Sequence, residues 1–123
     1  MEDKQCIADV IELHVRHALD QLKASEKNRN IAIELTKSIR GEFFVTGKNP
    51  RSIAGGIVYI AGLITNNKLF RTKNAWSHGT YTILDVCVAV DITEVSIRGS
   101  SKLLRKFIIE SNLMETLHKI DAI

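Results

Sequence analysis

One proline and seven glycines in 123 residues leave little room for long flexible linkers. The two cysteines, Cys6 and Cys87, fall in apolar-periodic segments with no partner at metal-ligand spacing. They are expected to be free thiols in a reducing compartment, neither a disulfide framework nor a zinc site. No apolar run approaches the ~18–20 residues that a membrane span needs, and MEDKQ at the start is not a signal peptide. The expectation is a soluble chain with no membrane role, cytoplasmic and nucleoid-associated in a prokaryote or nuclear in a eukaryote. Strand-like alternation and internal repeats are both missing, which leaves an all-α reading. No Ser/His/Asp or Cys/His set has catalytic spacing, and no glycine loop is placed to cradle phosphate. The chain is therefore read as having no enzymatic activity, no catalytic residues and no cofactor. His14 and His17 stand three apart but lack a third ligand nearby, so a surface pair is expected and no metal site.

What is present is of ordinary globular kind, with 45% hydrophobic and 25% charged residues, enough for one core and one domain over residues 1–123. The net charge of +3 is unevenly spread. Residues 1–44 carry a net −1, residues 45–106 a net +6 and residues 107–123 a net −2. A basic middle between neutral and acidic ends is the kind of footprint that faces phosphates.

Five helices can be placed from periodicity. Residues 5–24 carry Ile7, Val10, Ile11, Val15, Ala18 and Leu22 at helical spacing. Ser25–Asn30 is polar and offers caps, and a second helix follows with Ile31, Leu35, Ile39 and Phe43 on one face. Asn49-Pro50 opens a third helix, which runs to about Thr65 and holds Ala54, Gly55, Gly56, Ala61 and Gly62. Two adjacent glycines cost a helix on the order of 1–2 kcal/mol against alanine. That cost is tolerable where neighbouring helices approach the backbone, so this is read as the central, most buried helix. Residues 66–80 break the pattern. There Trp76, beside Phe70, Arg71 and Lys73, either forms an aromatic-basic patch or plugs the core. Residues 81–90 resume as a short helix presenting Ile83, Val86, Cys87 and Val90. Asp91-Ile92 makes a turn, and Thr93 caps a helix that buries Ile97, Leu104 and Ile108. Residues 111–121 form a further helix, with Asn112 and Glu115 spaced as in a capping box.

A short helix, a tight turn and a helix with outward basic residues follow helix-turn-helix logic. Glu94, Val95 and Arg98 lie in the first turns of the second helix, where base edges would be read. Arginine can bond guanine through two hydrogen bonds, and valine can touch a thymine methyl. Lys102, Arg105 and Lys106 lie further along and would hold phosphates, and Arg71 and Lys73 would touch the backbone nearby.

Two stretches resemble the transcription factor IIB family of archaeal and eukaryotic general initiation factors. Residues 49–62 (NPRSIAGGIVYIAG) are similar to that family's third-helix pattern NPxSxAAAAIYIAS through Asn49, Pro50, Ser52, Ala54, Tyr59, Ile60 and Ala61. Thr82 stands where the family's fourth helix opens. Residues 93–98 (TEVSIR) resemble the recognition-helix pattern TEVTIR, closer to the family's second repeat than to its first. The resemblance implies a cyclin-like five-helix domain over residues 5–110, with residues 111–123 as a C-terminal helical extension. It also implies that Val95 and Arg98 sit where the family contacts the B-recognition element beside the TATA box. Duplex DNA is the implied partner, and TATA-binding protein and a second copy of the chain are further candidates. The chain departs from the family in showing one repeat, no Cys/His pairs of a zinc ribbon and a longer connection over residues 66–80. Asp91 also stands where a glycine is usual in the turn, and Gly99 where a polar groove residue is common. The competing expectation is a cyclin-type adaptor that binds protein between its helices, its basic residues serving only to solvate the surface.

Overall fold

The computed structural model describes the backbone of residues 4–40, 49–65 and 82–113, and the side chains of 8–40, 49–64 and 82–113. Five helices, α1 Lys4–Gln21, α2 Glu26–Ser38, α3 Pro50–Thr65, α4 Ile83–Val90 and α5 Glu94–Glu110, make up these residues, and no strand is found among them. The all-α, five-helix expectation for a cyclin-like domain is met. The further helix over 111–121 lies largely outside the described residues, as do Phe43 and the whole of 66–80.

Helix α3 is the hub. It packs against α1, α2, α4 and α5, and every residue from Ser52 to Ile64 is buried. Ile53, Ile57, Tyr59, Ile60, Leu63 and Ile64 are all within 1% of complete burial. A helix apolar all round its circumference has no face to offer water and must be enclosed. Burying each such side chain contributes roughly 1.5–3 kcal/mol. The helix starts where the Asn49-Pro50 pair predicts. The Asn49 Oδ1 accepts from the Arg51 N–H at 2.9 Å, and Pro50 at the first helical position gives up no intrahelical bond.

The adjacent glycines fix how closely α5 lies on α3. A Cβ added at Gly55 would stand 3.0 Å from Ile97 Cγ1 and 3.1 Å from Val90 Cγ2. One at Gly56 would stand 3.0 Å from Ser100 Cβ and 3.3 Å from the Ser100 carbonyl carbon. At this contact Ser52 Oγ donates to the Ser96 carbonyl at 3.0 Å. Its single proton thus used, Ser52 accepts from Ser100 Oγ. The serine of the NPxSxA pattern is therefore a polar tie between α3 and the backbone of α5.

The helix ends follow capping chemistry, and here two expectations need correction. Helix α2 begins at Glu26, inside the polar stretch that was read as preceding it. Ser25 caps it by accepting from the Asn28 N–H at 3.2 Å. Its first turn is polar and carries no apolar signal, although Asn28 is buried there. Val10, expected on the buried face of α1, is 38% exposed, because Ala8, Ile11, Val15, Ala18 and Leu19 take that face. Helix α1 closes in a left-handed turn at Lys23, with Ala24 N–H bonded to Leu19 O and Lys23 N–H to Asp20 O. Arg29 of α2 clamps the same end, donating to Ala24 O, Leu19 O and the Asp20 carboxylate. Helix α5 ends in the same way at the left-handed Asn112, with Leu113 N–H bonded to Ile108 O.

The two kinds of glycine position should respond oppositely to alanine. Gly56→Ala should lower stability by about 1–3 kcal/mol, since Ser100 backbone blocks the new methyl. Gly99→Ala should raise it by up to about 1 kcal/mol, since nothing lies within 4 Å of the new Cβ on an exposed helix face. Urea unfolding of the two variants measures both.

Candidate nucleic-acid interface

Helices α4 and α5 are joined by Asp91, Ile92 and Thr93. Thr82 starts α4 in a reciprocal capping box, accepting from the Asp85 N–H at 3.2 Å while its own N–H donates to Asp85 Oδ2 at 3.0 Å. Asp91 adopts φ 55° and ψ 55°, the left-handed conformation that glycine meets without cost. Ile92 turns back to pack against the core, its N–H bonded to Cys87 O. Thr93 then caps α5 by accepting from the Ser96 N–H at 3.3 Å. This is the short, tight turn of a helix pair in which the second helix is held by the core behind it.

Around α5, Ile97, Ser100, Ser101, Leu104 and Ile108 are buried. The opposite face carries Val95, Arg98, Lys102, Lys106 and Ile109, all exposed, with Gly99 among them and the half-buried Arg105 at the flank. These residues recur at steps of three and four, so they form one outward stripe with Val95 at the N-terminal end, 79% exposed. Glu94 lies beside this stripe and holds Arg98 at 3.3 Å. Lys106 reaches Glu110 at 3.9 Å at the other end. Both pairs are solvent-exposed and contribute on the order of 0.3–0.5 kcal/mol each. They can exchange for a ligand's oxygens at little cost. Lys102, Arg105, Lys106, Ile109 and Glu110 border a surface depression of about 350 Å³.

Of the eight residues read as contacting DNA, the structure gathers Glu94, Val95, Arg98, Lys102, Arg105 and Lys106 on α5. Arg71 and Lys73 lie outside the described residues. Behind the stripe, Tyr59 of α3 has its phenol pushed up to about 12 by burial. The nearby Arg98 and Arg105 act the other way, and Glu94 raises it further. The charged residues of α5 are thus felt in the core. Cys87 is a half-buried free thiol whose pKa is raised by burial and by Glu94, so it is not a poised nucleophile. Among the described residues no three His, Cys, Asp or Glu side chains are grouped to hold a metal, and no helix is long and apolar enough to cross a membrane.

One cluster escaped the sequence reading. Arg51, at the start of α3, reaches Asp91 of the turn at 3.3 Å and lies beside His14 and His17 of α1. Only the His14–His17 spacing hinted at it.

Two archaeal proteins are similar to this chain. "Transcription initiation factor IIB 1" of Thermoplasma volcanium is 31% identical over 89 residues, which cover 72% of this chain and 25% of that protein. "Transcription initiation factor IIB" of Pyrobaculum islandicum is 31% identical over 94 residues, 76% of this chain and 25% of that protein. The chain matches about a quarter of the length of these curated relatives. No protein-family model and no solved structure matches it. These two likenesses relate the chain to the transcription factor IIB family, partially and at a distance.

The turn and the buried phenol each give a measurable expectation. Asp91→Val should cost about 1–2 kcal/mol, because a β-branched residue is strained in the left-handed conformation. Asp91→Gly should be at least as stable as the parent, the exposed pair with Arg51 being worth under about 1 kcal/mol. For Tyr59, an acid raised from 10.0 to about 12 in the fold favours the neutral form. Its contribution to stability is complete below pH 10 and is lost as pH rises from there to about 12. Alkaline unfolding followed by circular dichroism should therefore be less steep in Tyr59→Phe.

Proposed function

We propose that this chain, a partial and distant relative of the transcription factor IIB family, is a DNA-binding protein of transcription initiation that grips duplex DNA through α4 and α5. The reading takes residues 5–110 as one cyclin-like repeat and residues 111–123 as a C-terminal helical extension. The observation that carries it is the outward stripe of α5. Three exposed cations and an N-terminal valine, with the half-buried Arg105 at the flank, lie on one face of a helix whose other face is locked onto α3. Inserted in a major groove, Val95 and Arg98 reach base edges while Lys102, Arg105 and Lys106 hold phosphates. Arg71 and Lys73 would add contacts to the backbone. Promoter DNA is the proposed partner. TATA-binding protein is a further one, suggested by the family named in the two relatives, and a paired second copy would supply a two-repeat arrangement. The role is that of an initiation factor and not of an enzyme.

A cyclin-type adaptor is the second reading. Leu84 and Val88 of α4 are 65% and 81% exposed on the side facing away from the core, an apolar strip that a protein partner could cover.

Fluorescence anisotropy with duplexes that contain or lack a B-recognition element, at two salt concentrations, separates the readings. DNA binding predicts an affinity that falls steeply with salt. Arg98→Ala should relax discrimination between the duplexes by about 1–3 kcal/mol. Lys102→Ala should weaken binding to both alike and reduce the salt slope by about 1. Indifference to salt and to both substitutions would contradict DNA binding and favour the adaptor.

A further inference from the structure

Beside the turn between α4 and α5, the sides of α1, the N-terminal end of α3 and the end of α4 enclose a cleft of about 410 Å³. Its polar lining is His14, His17, Arg51 and Asp91, over an apolar floor that includes Ala89 and Val90. We propose that this cleft is a phosphate-binding site, in which Arg51 and the two imidazoles bind a phosphate oxyanion next to the turn. The inference rests on the DNA-binding reading for its source, a phosphodiester of the duplex held by α5, but not for its chemistry.

Three observations support an anion over other ligands. The cleft brings together one guanidinium and two imidazoles from two helices, against a single carboxylate. That carboxylate, Asp91, is 92% exposed and meets Arg51 at 3.3 Å, so it can swing into water when a phosphate takes its place. A divalent metal would need His14, His17 and Asp91 together, yet no three such side chains are close enough among the described residues. The field at His14 is also positive. Its pKa is lowered by burial first, then by Arg51 and by His17, so the positive charge of Arg51 is felt inside the cleft. Among the described residues, Asp91 is the only opposing charge that borders the cleft. His17 Nε2 lies 3.1 Å from the Gln21 amide nitrogen on the same helix. Arg51 sits in the first turn of α3, where the helix end adds partial positive charge.

Position links the cleft to the DNA-binding reading. Asp91 borders the cleft and also forms the turn that launches α5, so a phosphate seated there lies beside the N-terminal end of the proposed recognition helix. That is where a backbone contact would fix how deeply α5 enters the groove.

The test follows the imidazole signals of His14 and His17 by NMR in the full chain, titrated with inorganic phosphate and, separately, with chloride at matched ionic strength. The proposal expects saturable shifts with phosphate alone, a higher titration midpoint for His14 when phosphate is bound, and loss of the response in Arg51→Gln. Equal responses to chloride and phosphate, or a response that survives Arg51→Gln, would overturn it whether or not the chain binds DNA. A second arm identifies the source. If the phosphate belongs to duplex DNA, Arg51→Gln should weaken DNA binding about three- to tenfold for every sequence and lower the salt slope by about 1. Unchanged DNA affinity together with a saturable phosphate response would assign the site to a free phosphate compound instead. Because Arg51 is exposed and its pair with Asp91 contributes little, the variant should fold like the parent.

Discussion

The contact between α3 and α5 at Gly55 and Gly56 is the constraint on which the rest depends. Two glycines inside a helix are costly in isolation, and here they remove the side chains that would hold α5 off. Because α5 comes this close, Ser52 can reach the Ser96 carbonyl, and Ile97, Leu104 and Ile108 can fill the space against α3. The same contact settles which face of α5 points outward. Turning α5 about its axis would carry Ser100 and Ile97 away from the glycines and bring Arg98 or Lys102 into the core, where an unpaired charge is strongly disfavoured. The basic stripe is exposed because the opposite face has no other place to go.

From that anchor the functional surface follows by short steps. The left-handed Asp91 reverses the chain, Thr93 caps the new helix, and Val95 is delivered to its exposed tip. Arg51 joins this turn to the start of α3, so the central helix, the turn and the first helix meet at one cleft. The ion pairs of this surface, Arg98 with Glu94 and Arg51 with Asp91, are all solvated. Such pairs add little to stability, and they hold cationic side chains in place until a stronger acceptor arrives.

Where the sequence could be read, the signal was geometric and local. The small residues of 54–62 announced a helix packed on all sides, and the three-and-four spacing from Val95 to Lys106 put those side chains on one face. Thr93 marked a helix start because a hydroxyl before an apolar run has a specific backbone N–H to satisfy, whereas Thr82 was placed only by the family resemblance. Where reading failed, the information was elsewhere. The first turn of α2 is polar, so no apolar rhythm marks Glu26 as its start. Val10 lost its place on the core face to Ala8, a competition that spacing alone does not decide. Arg51 and Asp91 are forty residues apart in the chain, and His14 comes from a third element, α1. Their meeting is a product of tertiary packing, which no local pattern encodes.

Mapping backbone amide shifts on addition of duplex DNA tests the central claim most directly, because it reports which face of the molecule is used. The account predicts that the perturbed amides cluster along α5 from Glu94 to Lys106 and around Arg51 and the turn, while the outward side of α4 at Leu84 and Val88 stays silent. Perturbation centred on Leu84 and Val88, or none at low salt, would contradict it and leave the α5 stripe as a solvated surface.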